Sequence, residues 1–183
     1  MTTAGSKTQK NAFSAPKTLA LTAMFAALTT VLTMFVRVST PLGYIHAGDA
    51  MVYLGAALLP QPFGFISASL GGALADLLSG YAHFSVFTAM IKALNVLPFF
   101  IARIILIKKN KDDKIISLPL LLMLLPSALI TVGGYFAANA LLYDAGAAVG
   151  ELLTDAVQAA SGAVIFILLG AGLDRTRLKQ RLR

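Results

Sequence analysis

The chain has 183 residues, of which 57% are hydrophobic and only 13% are charged, and its mean hydropathy is +0.79. Water-soluble domains carry about 25% charged residues, so this composition excludes an ordinary soluble fold and indicates an integral membrane protein. Cysteine is absent, which excludes disulfides, thiol catalysis and metal sites with Cys ligands.

Six apolar segments follow one another along the chain, and a helix needs about 20 such residues to cross the hydrocarbon. The segments are predicted at residues 18–36, 48–59, 63–79, 86–107, 118–142 and 152–173. Residues 37–47 form a loop with Pro41 and Gly43, and residues 144–151 a short, mobile connection. We therefore expect an all-α integral membrane protein with six transmembrane helices in one bundle. A tail at residues 1–17 precedes the membrane domain, residues 18–174, and a basic tail follows at residues 175–183.

Basic residues predict the orientation of this bundle. Thirteen of the fifteen Lys and Arg residues lie in the two tails, at the end of the fourth segment or in the connection between the fourth and fifth segments. Basic flanking segments stay in the cytoplasm during insertion, so both termini are predicted to be cytoplasmic. The same residues account for the net charge of +7 and attract anionic lipid, so nucleic acid is not an expected partner. The charges of Lys108, Lys109, Asp112 and Asp113 are expected to be solvated.

Polar side chains within the apolar segments are the candidates for a site, because each needs a partner or water. Asp76 and Lys92 lie at similar depth in neighbouring antiparallel segments, where they form a structural ion pair or contact a polar ligand. The other candidates share helical faces in the outer halves of the later segments: Asn95, Tyr135, Asn139, Tyr143, Thr154, Gln158 and Ser161. The inner half is nearly all apolar.

The loop at residues 37–47 and the residues after it add Tyr44, His46 and Asp49 above that region. The loop is either a lid over a pocket for a small ring compound or a solvated connector. His46 and His83 are not spaced as metal ligands. Phosphate-binding loops and hydrolase signatures are missing, so we expect no catalytic residue, cofactor or metal.

Small residues recur in two segments. Ala20, Ala23 and Ala27 lie along one stripe of the first segment and leave a shallow groove for a helix of a partner or of this bundle. Ser67, Gly71, Ala75 and Ser79 are each four residues apart in the third segment, which favours close packing inside the bundle.

With these motifs the chain resembles the substrate-binding S components of energy-coupling factor (ECF) vitamin transporters. The matching features are Ala23-x-x-x-Ala27, Gly43-Tyr-Ile-His-Ala-Gly-Asp49, and Gly72-Ala-Leu-Ala-Asp76-Leu-Leu-Ser-Gly80 followed by Lys92. The resemblance implies a non-catalytic subunit in the bacterial plasma membrane that captures a vitamin or vitamin precursor from outside. It also implies docking through the alanine motif on a transmembrane coupling protein (T component) that carries two ATPases (A subunits), and reorientation in the membrane.

Within this family the sequence is most similar to members for hydroxymethylpyrimidine or pyridoxine-type compounds, and more distantly to members for riboflavin. Because the acids are accompanied by Lys92, Arg37 and His46, we expect a neutral polar heterocycle rather than a cation such as thiamine. A stand-alone secondary transporter or small channel is the alternative, and it needs an inverted repeat or a polar pathway to the inner face. A membrane enzyme of lipid metabolism needs a polar cluster at the inner interface, where Asp112, Asp113 and Asp174 lie.

Overall fold

A computed structural model describes residues 15–40 and 44–182. Most of the predicted N-terminal tail, together with Pro41, Gly43 and Arg183, lies outside the described residues. The elements are α1 Ala15–Phe35, β1 Arg37–Ser39, β2 Tyr44–His46, α2 Asp49–Leu58, α3 Phe63–Ser79, α4 Ser85–Lys108, α5 Leu118–Leu122, α6 Leu124–Leu142, α7 Ala145–Arg175 and α8 Leu178–Leu182. We call the end with β1, β2 and the α3–α4 connection the hairpin end, and the end with the α4–α5 connection and α8 the basic end.

Four apolar stretches of the described chain are long enough to cross a membrane: Ala15–Phe35, Ser85–Lys108, Leu118–Leu142 and Ala145–Arg175. The third comprises α5 and α6, which are separated by Met123. Helices α2 and α3 are apolar but shorter. At about 1.5 Å per residue α2 is only about 15 Å long, half of the hydrocarbon thickness. The bundle is therefore a multi-pass membrane structure, and the count of six crossings stays a prediction.

The outer surface of the bundle is more apolar than a water-exposed surface would be. Helix α1 buries threonines, Thr18, Thr22, Thr29, Thr30 and Thr33, together with Phe25 and Ala26. The large side chains of the same helix point outward: Leu19, Met24, Leu28, Val31 and Phe35. This arrangement suits a hydrocarbon solvent, because polar groups find partners only inside the bundle. Thr30, for example, donates a hydrogen bond to the carbonyl of Gly71 on α3 at 3.0 Å.

Helix α2 is the central element, and all ten of its residues are buried. It contacts α1, α3, α4 and α7. Its Tyr53 stacks on Phe99 of α4 with ring centroids 5.5 Å apart, and both rings pack edge-on against Phe166 of α7. These three rings, the aromatic triad, fill the middle of the bundle between the hairpin end and the basic end.

Glycines bring neighbouring helices into close contact. A Cβ on Gly71 would lie 2.6 Å from Thr29 Cβ, so α1 and α3 approach each other at this point. A Cβ on Gly134 would lie 2.7 Å from a side-chain atom of Ile91, and one on Gly162 would lie 2.7 Å from Asp49 Cβ. The predicted internal packing of the α3 stripe is thus observed at Gly71, and α4–α6 and α2–α7 pack in the same way.

The structure corrects two predicted connections. The loop at residues 37–47 contains a two-stranded antiparallel hairpin, in which Val38 pairs with Ile45. The predicted mobile connection at residues 144–151 is helical, because α7 begins seven residues before the expected boundary. Its N-cap is Asp144, whose carboxylate accepts a hydrogen bond from the Ala147 N–H at 2.8 Å.

Charged residues at the basic end are buried as well, which corrects the expectation that Asp112 is solvated. Asp112 is 2% exposed, and its carboxylate accepts from Lys179 of α8 at 2.7 Å and from Arg103 of α4 at 3.4 Å. Arg103 also donates to the carbonyls of Ala56 and Leu59 at the end of α2. Lys108, Lys109 and Asp113 are exposed as expected. Asp174 accepts from two backbone N–H groups, those of Ile115 and Ile116, at 2.8 Å each. The carboxylates that a lipid-modifying enzyme would need are therefore engaged in structural bonds, except Asp113.

Candidate ligand-binding pocket

A pocket opens at the hairpin end between the hairpin, α3, α4, α6 and α7. It encloses about 480 Å³ of empty space, part of which is open to solvent. The lining combines aromatic rings, carboxyls and amides: Tyr44, His46, Asp76, Tyr81, Phe84, Thr88, Tyr135, Asn139, Glu151, Thr154, Asp155 and Gln158.

Strand β2 covers one side of the pocket and is attached to α3 by a short hydrogen bond. The Tyr44 hydroxyl donates to Asp76 Oδ1 at 2.6 Å, and the Tyr44 ring contacts the edge of Tyr81 at 5.1 Å between centroids. The Arg37 guanidinium lies 4.8 Å from the centroid of the Tyr44 ring. Burial and the neighbouring Asp76 carboxylate raise the pKa of Tyr44, so its proton stays on the hydroxyl. The hairpin thus holds an aromatic ring over the pocket.

His46 enters the pocket as a neutral ring. It is buried, and its Nδ1 accepts a hydrogen bond from the Gly48 N–H at 3.1 Å. Burial lowers the pKa of His46 to about 4, although the nearby Asp49 carboxylate acts in the opposite direction. A histidine that accepts through Nδ1 presents Nε2–H as a donor at neutral pH.

Beneath the pocket lies a buried charge network centred on Asp49, the first residue of α2. The Lys92 ammonium of α4 forms an ion pair with Asp49 Oδ1, and the Gln158 amide of α7 donates to Asp49 Oδ2 at 3.2 Å. Of the two options left by the sequence, an ion pair between Asp76 and Lys92 is not formed, because Lys92 bonds to Asp49 and Asp76 bonds to Tyr44. The network connects α2, α4 and α7 and stabilises the base of the pocket.

Two further hydrogen bonds order the wall between α4 and α6. The Tyr135 hydroxyl donates to Thr88 at 3.3 Å, and the Lys92 ammonium lies 5.2 Å from the centroid of the Tyr135 ring. Deeper in the bundle, Asn95 donates to Thr131 at 2.9 Å, and Ser127 donates to the Asn95 carbonyl at 3.0 Å. Polar contacts between these helices therefore continue below the pocket as far as the aromatic triad.

The structure brings six of the ten predicted binding residues into the pocket lining: Tyr44, His46, Asp76, Tyr135, Asn139 and Gln158. The other four lie elsewhere. Asp49, Lys92 and Asn95 are buried below the pocket, and the Ser161 hydroxyl donates to the Gln158 carbonyl of its own helix at 2.9 Å. That the six bind a ligand stays a prediction.

Sequence reasoning missed five lining residues: Tyr81, Phe84, Thr88, Glu151 and Asp155. Glu151 falls in the connection predicted at residues 144–151, and Asp155 falls near the start of the sixth segment, predicted to begin at residue 152. Their spacing with Gln158, four and then three residues, is nevertheless that of one helical face and could have revealed them. Tyr81 and Phe84 flank a short turn and carried no such periodic signal.

The reason for expecting a neutral ligand does not hold in the structure. Of the three cationic residues invoked, Lys92 is bonded to Asp49, His46 is neutral, and Arg37 lies against the Tyr44 ring outside the lining. Among the described residues no Lys or Arg lines the pocket. The part of the chain that the structure describes also holds no group of three or more His, Cys, Asp or Glu residues placed for a metal ion. The arrangement can bind an organic molecule through rings, carboxyls and amides.

The alanine stripe of α1 faces away from the bundle. Ala20, Ala23 and Ala27 are all exposed, whereas Thr22 and Ala26 point inward. The sequence left two options for this stripe, a groove for a helix of this bundle or a groove for a partner. Because the stripe is exposed, no described helix of this bundle packs on it, and the first option is excluded. A role in binding a partner stays a prediction.

Two comparisons with known proteins extend over most of the chain. Residues 14–175 match the family described as ECF-type riboflavin transporter, S component. A relative from Pyrococcus woesei, described as "Uncharacterized protein in gap 3'region", is 35% identical over 157 residues. That alignment covers 84% of this chain and 95% of the relative.

Proposed function

The chain belongs to the family of ECF-type riboflavin transporter S components, and we propose that it captures a small aromatic vitamin or vitamin precursor, of pyridoxine or hydroxymethylpyrimidine type, from outside the cell. Members of this family are non-catalytic substrate-binding subunits of membrane transporters. In this proposal the pocket at the hairpin end is the binding site, and it faces the outside of a bacterial plasma membrane. The basic end faces the cytoplasm, as the distribution of Lys and Arg predicts.

The observation that carries the proposal is the position of the pocket relative to the centre of the bundle. The pocket is open at one end, and below it lie the Asp49–Lys92 pair and then the aromatic triad. Each ring of the triad is fully buried. A site that is open on one side and closed by packed rings on the other supports a receptor that binds ligand and needs partners to deliver it.

Delivery requires a coupling protein with two ATPases in this proposal, and the exposed alanine stripe supports such docking. Small side chains on the lipid-facing surface allow a helix of another chain to approach the α1 backbone closely. The stripe remains accessible in the folded bundle, so a partner can bind there without unfolding α1.

The proposal is tested by equilibrium binding to the purified chain in detergent. The panel consists of pyridoxine, hydroxymethylpyrimidine, riboflavin, thiamine and a queuosine precursor. We expect saturable binding of one molecule per chain, tightest for pyridoxine or hydroxymethylpyrimidine. Tightest binding of another compound would refute the ligand choice, and absence of binding for all five would refute the proposed function.

The site is tested with Asn139→Ala and Gln158→Ala. Each should weaken ligand binding by about 1–2 kcal/mol if its side chain bonds the ligand directly. Ser161→Ala is the matched control, because this hydroxyl bonds within α7 and does not line the pocket. Equal affinities for all three variants and the parent would place the ligand elsewhere.

A further inference from the structure

The lining of the pocket is rich in carboxyl groups and other hydrogen-bond acceptors. Three carboxyls line it, those of Asp76, Glu151 and Asp155, and the described lining contains no Lys or Arg. Only their neutral neighbours, such as His46 with its Nε2–H, supply donors. The Lys92 charge below is already matched by Asp49.

Three buried acceptor atoms of the lining have no hydrogen-bond partner in the described chain. They are Asp76 Oδ2, Asn139 Oδ1 and Asp155 Oδ2. Asp76 and Asn139 are each 5% exposed, and Asp155 is 8% exposed. An unpaired buried acceptor costs about 1–3 kcal/mol, more if it is charged. Because the atoms lie on three different helices around one pocket, a single donor-rich ligand can satisfy all of them.

Glu151 and Asp155 also repel each other whenever both are ionised. They lie four residues apart on α7, so their side chains share one face, and both are buried. Like charges at this spacing are unfavourable, and the effect grows when solvent is excluded. A positive charge placed between the two carboxyls would turn this repulsion into attraction.

The aromatic lining favours the same kind of ligand. The rings of Tyr44, Tyr81, Phe84 and Tyr135 all line the pocket. Their faces attract cations, and they supply stacking surfaces for a planar heterocycle. Carboxyls combined with several rings form the environment in which proteins bind organic cations.

We propose that, among small aromatic heterocycles of pyridoxine type, the pocket selects those that carry a positive charge on a protonated amine and rejects anionic compounds such as phosphate esters. The inference rests on the proposed function and specifies the charge of its substrate. Asp155 and Glu151 contact the cationic group, and Asn139 and Asp76 accept its remaining N–H or O–H donors. Selection against phosphate esters follows, because a phosphate would meet three carboxyls, a neutral His46 and no Lys or Arg of the described lining.

The test compares three compounds of one ring system: pyridoxamine, pyridoxine and pyridoxal 5′-phosphate. Pyridoxamine carries an aminomethyl group where pyridoxine carries a hydroxymethyl group. The alkyl amine is protonated at neutral pH, so pyridoxamine has a positive charge at this position. We expect the parent chain to bind pyridoxamine about 10-fold more tightly than pyridoxine, and the phosphate ester most weakly. Asp155→Asn and Glu151→Gln should each remove most of the preference for pyridoxamine. The matched control is Asp144→Asn, an equal change of charge at the exposed N-cap of the same helix, which should retain it.

The outcomes separate the two proposals. If the parent chain binds pyridoxamine and pyridoxine with equal affinity, that measurement alone would overturn the inference. So would tightest binding of the phosphate ester, or retention of the preference in both pocket variants. These results leave the proposed function intact if the chain still binds a vitamin of the panel. If the chain binds neither the three compounds nor any of that panel, the proposed function fails and the inference fails with it.

Discussion

At the scale of residues, the molecule is organised by buried polar side chains whose partners lie on distant segments. Lys92 is 1% exposed and is neutralised by Asp49, 43 positions earlier in the chain. The sequence showed that both Lys92 and Asp76 need partners, and it favoured pairing them because their helices are neighbours. It could not show that Asp49 projects from the start of α2 toward α4, since that depends on the packing of a third helix. The same packing leaves Asp76 to accept its hydrogen bond from the Tyr44 hydroxyl.

The Asp49–Lys92 pair should be essential for stability rather than for ligand contact. Lys92→Met leaves a buried, uncompensated carboxylate, which costs about 3–5 kcal/mol. We expect a large drop in the midpoint of thermal unfolding in detergent. The double variant Lys92→Met/Asp49→Asn removes both charges and should recover much of the loss. A single variant as stable as the double variant would show that the pair is not needed.

At the scale of elements, spacing in the sequence predicted the helices better than their connections. The predicted third segment, residues 63–79, coincides with α3, because Pro62 and Gly80 border a mainly apolar run. Gly80 has a φ of 86°, a conformation that glycine adopts without strain and that ends the helix. The hairpin was missed because its strands have three residues each, too few for a periodic pattern.

Gly71 should be required for the contact between α1 and α3. A Cβ at this position would lie 2.6 Å from Thr29 Cβ and 2.8 Å from the Ala26 carbonyl oxygen, so the helices would have to move apart. We expect Gly71→Ala to destabilise the bundle by about 1–3 kcal/mol. Gly133→Ala on α6 is the matched control, because a Cβ added there would have no neighbouring atom within 4 Å. Equal unfolding midpoints for the two variants would contradict the close contact.

Helix α8 should be held at the basic end by Lys179. This side chain is 3% exposed and donates to Asp112 at 2.7 Å and to the Lys114 carbonyl at 2.9 Å. Lys179→Met leaves Asp112 with one ion-pair partner fewer, so α8 should detach more readily and be cleaved faster by a protease in limited proteolysis. The exposed Lys108→Met change should have no such effect. Equal cleavage rates would show that α8 is held by other contacts.

At the scale of the whole molecule, one face of α4 runs through every layer of the bundle. Thr88 lines the pocket, Lys92 pairs with Asp49, Asn95 bonds α6, Phe99 joins the aromatic triad, and Arg103 holds the end of α2. The predicted contrast between a polar outer half and an apolar inner half is therefore incomplete. Polar side chains continue to the basic end, and Asn95 and Arg103 are buried and hydrogen-bonded to neighbouring helices.

The alanine stripe should be needed for transport but not for binding. Ala23→Leu and Ala27→Leu place bulky side chains on the exposed face of α1, away from the pocket. We expect loss of uptake in cells that contain the coupling protein and its ATPases, with unchanged ligand affinity of the purified chain. Ala137→Leu adds the same bulk to an exposed position of α6 and should preserve uptake. Weakened binding in the α1 variants would contradict the separation of docking from ligand capture.

The most direct test of the account reconstitutes the purified chain alone in liposomes and supplies the radiolabelled panel compound that it binds most tightly. The account predicts saturable binding and no accumulation inside, because packed rings close the bundle below the pocket. Accumulation by the chain alone, without any ATPase, would contradict it and establish a stand-alone transporter.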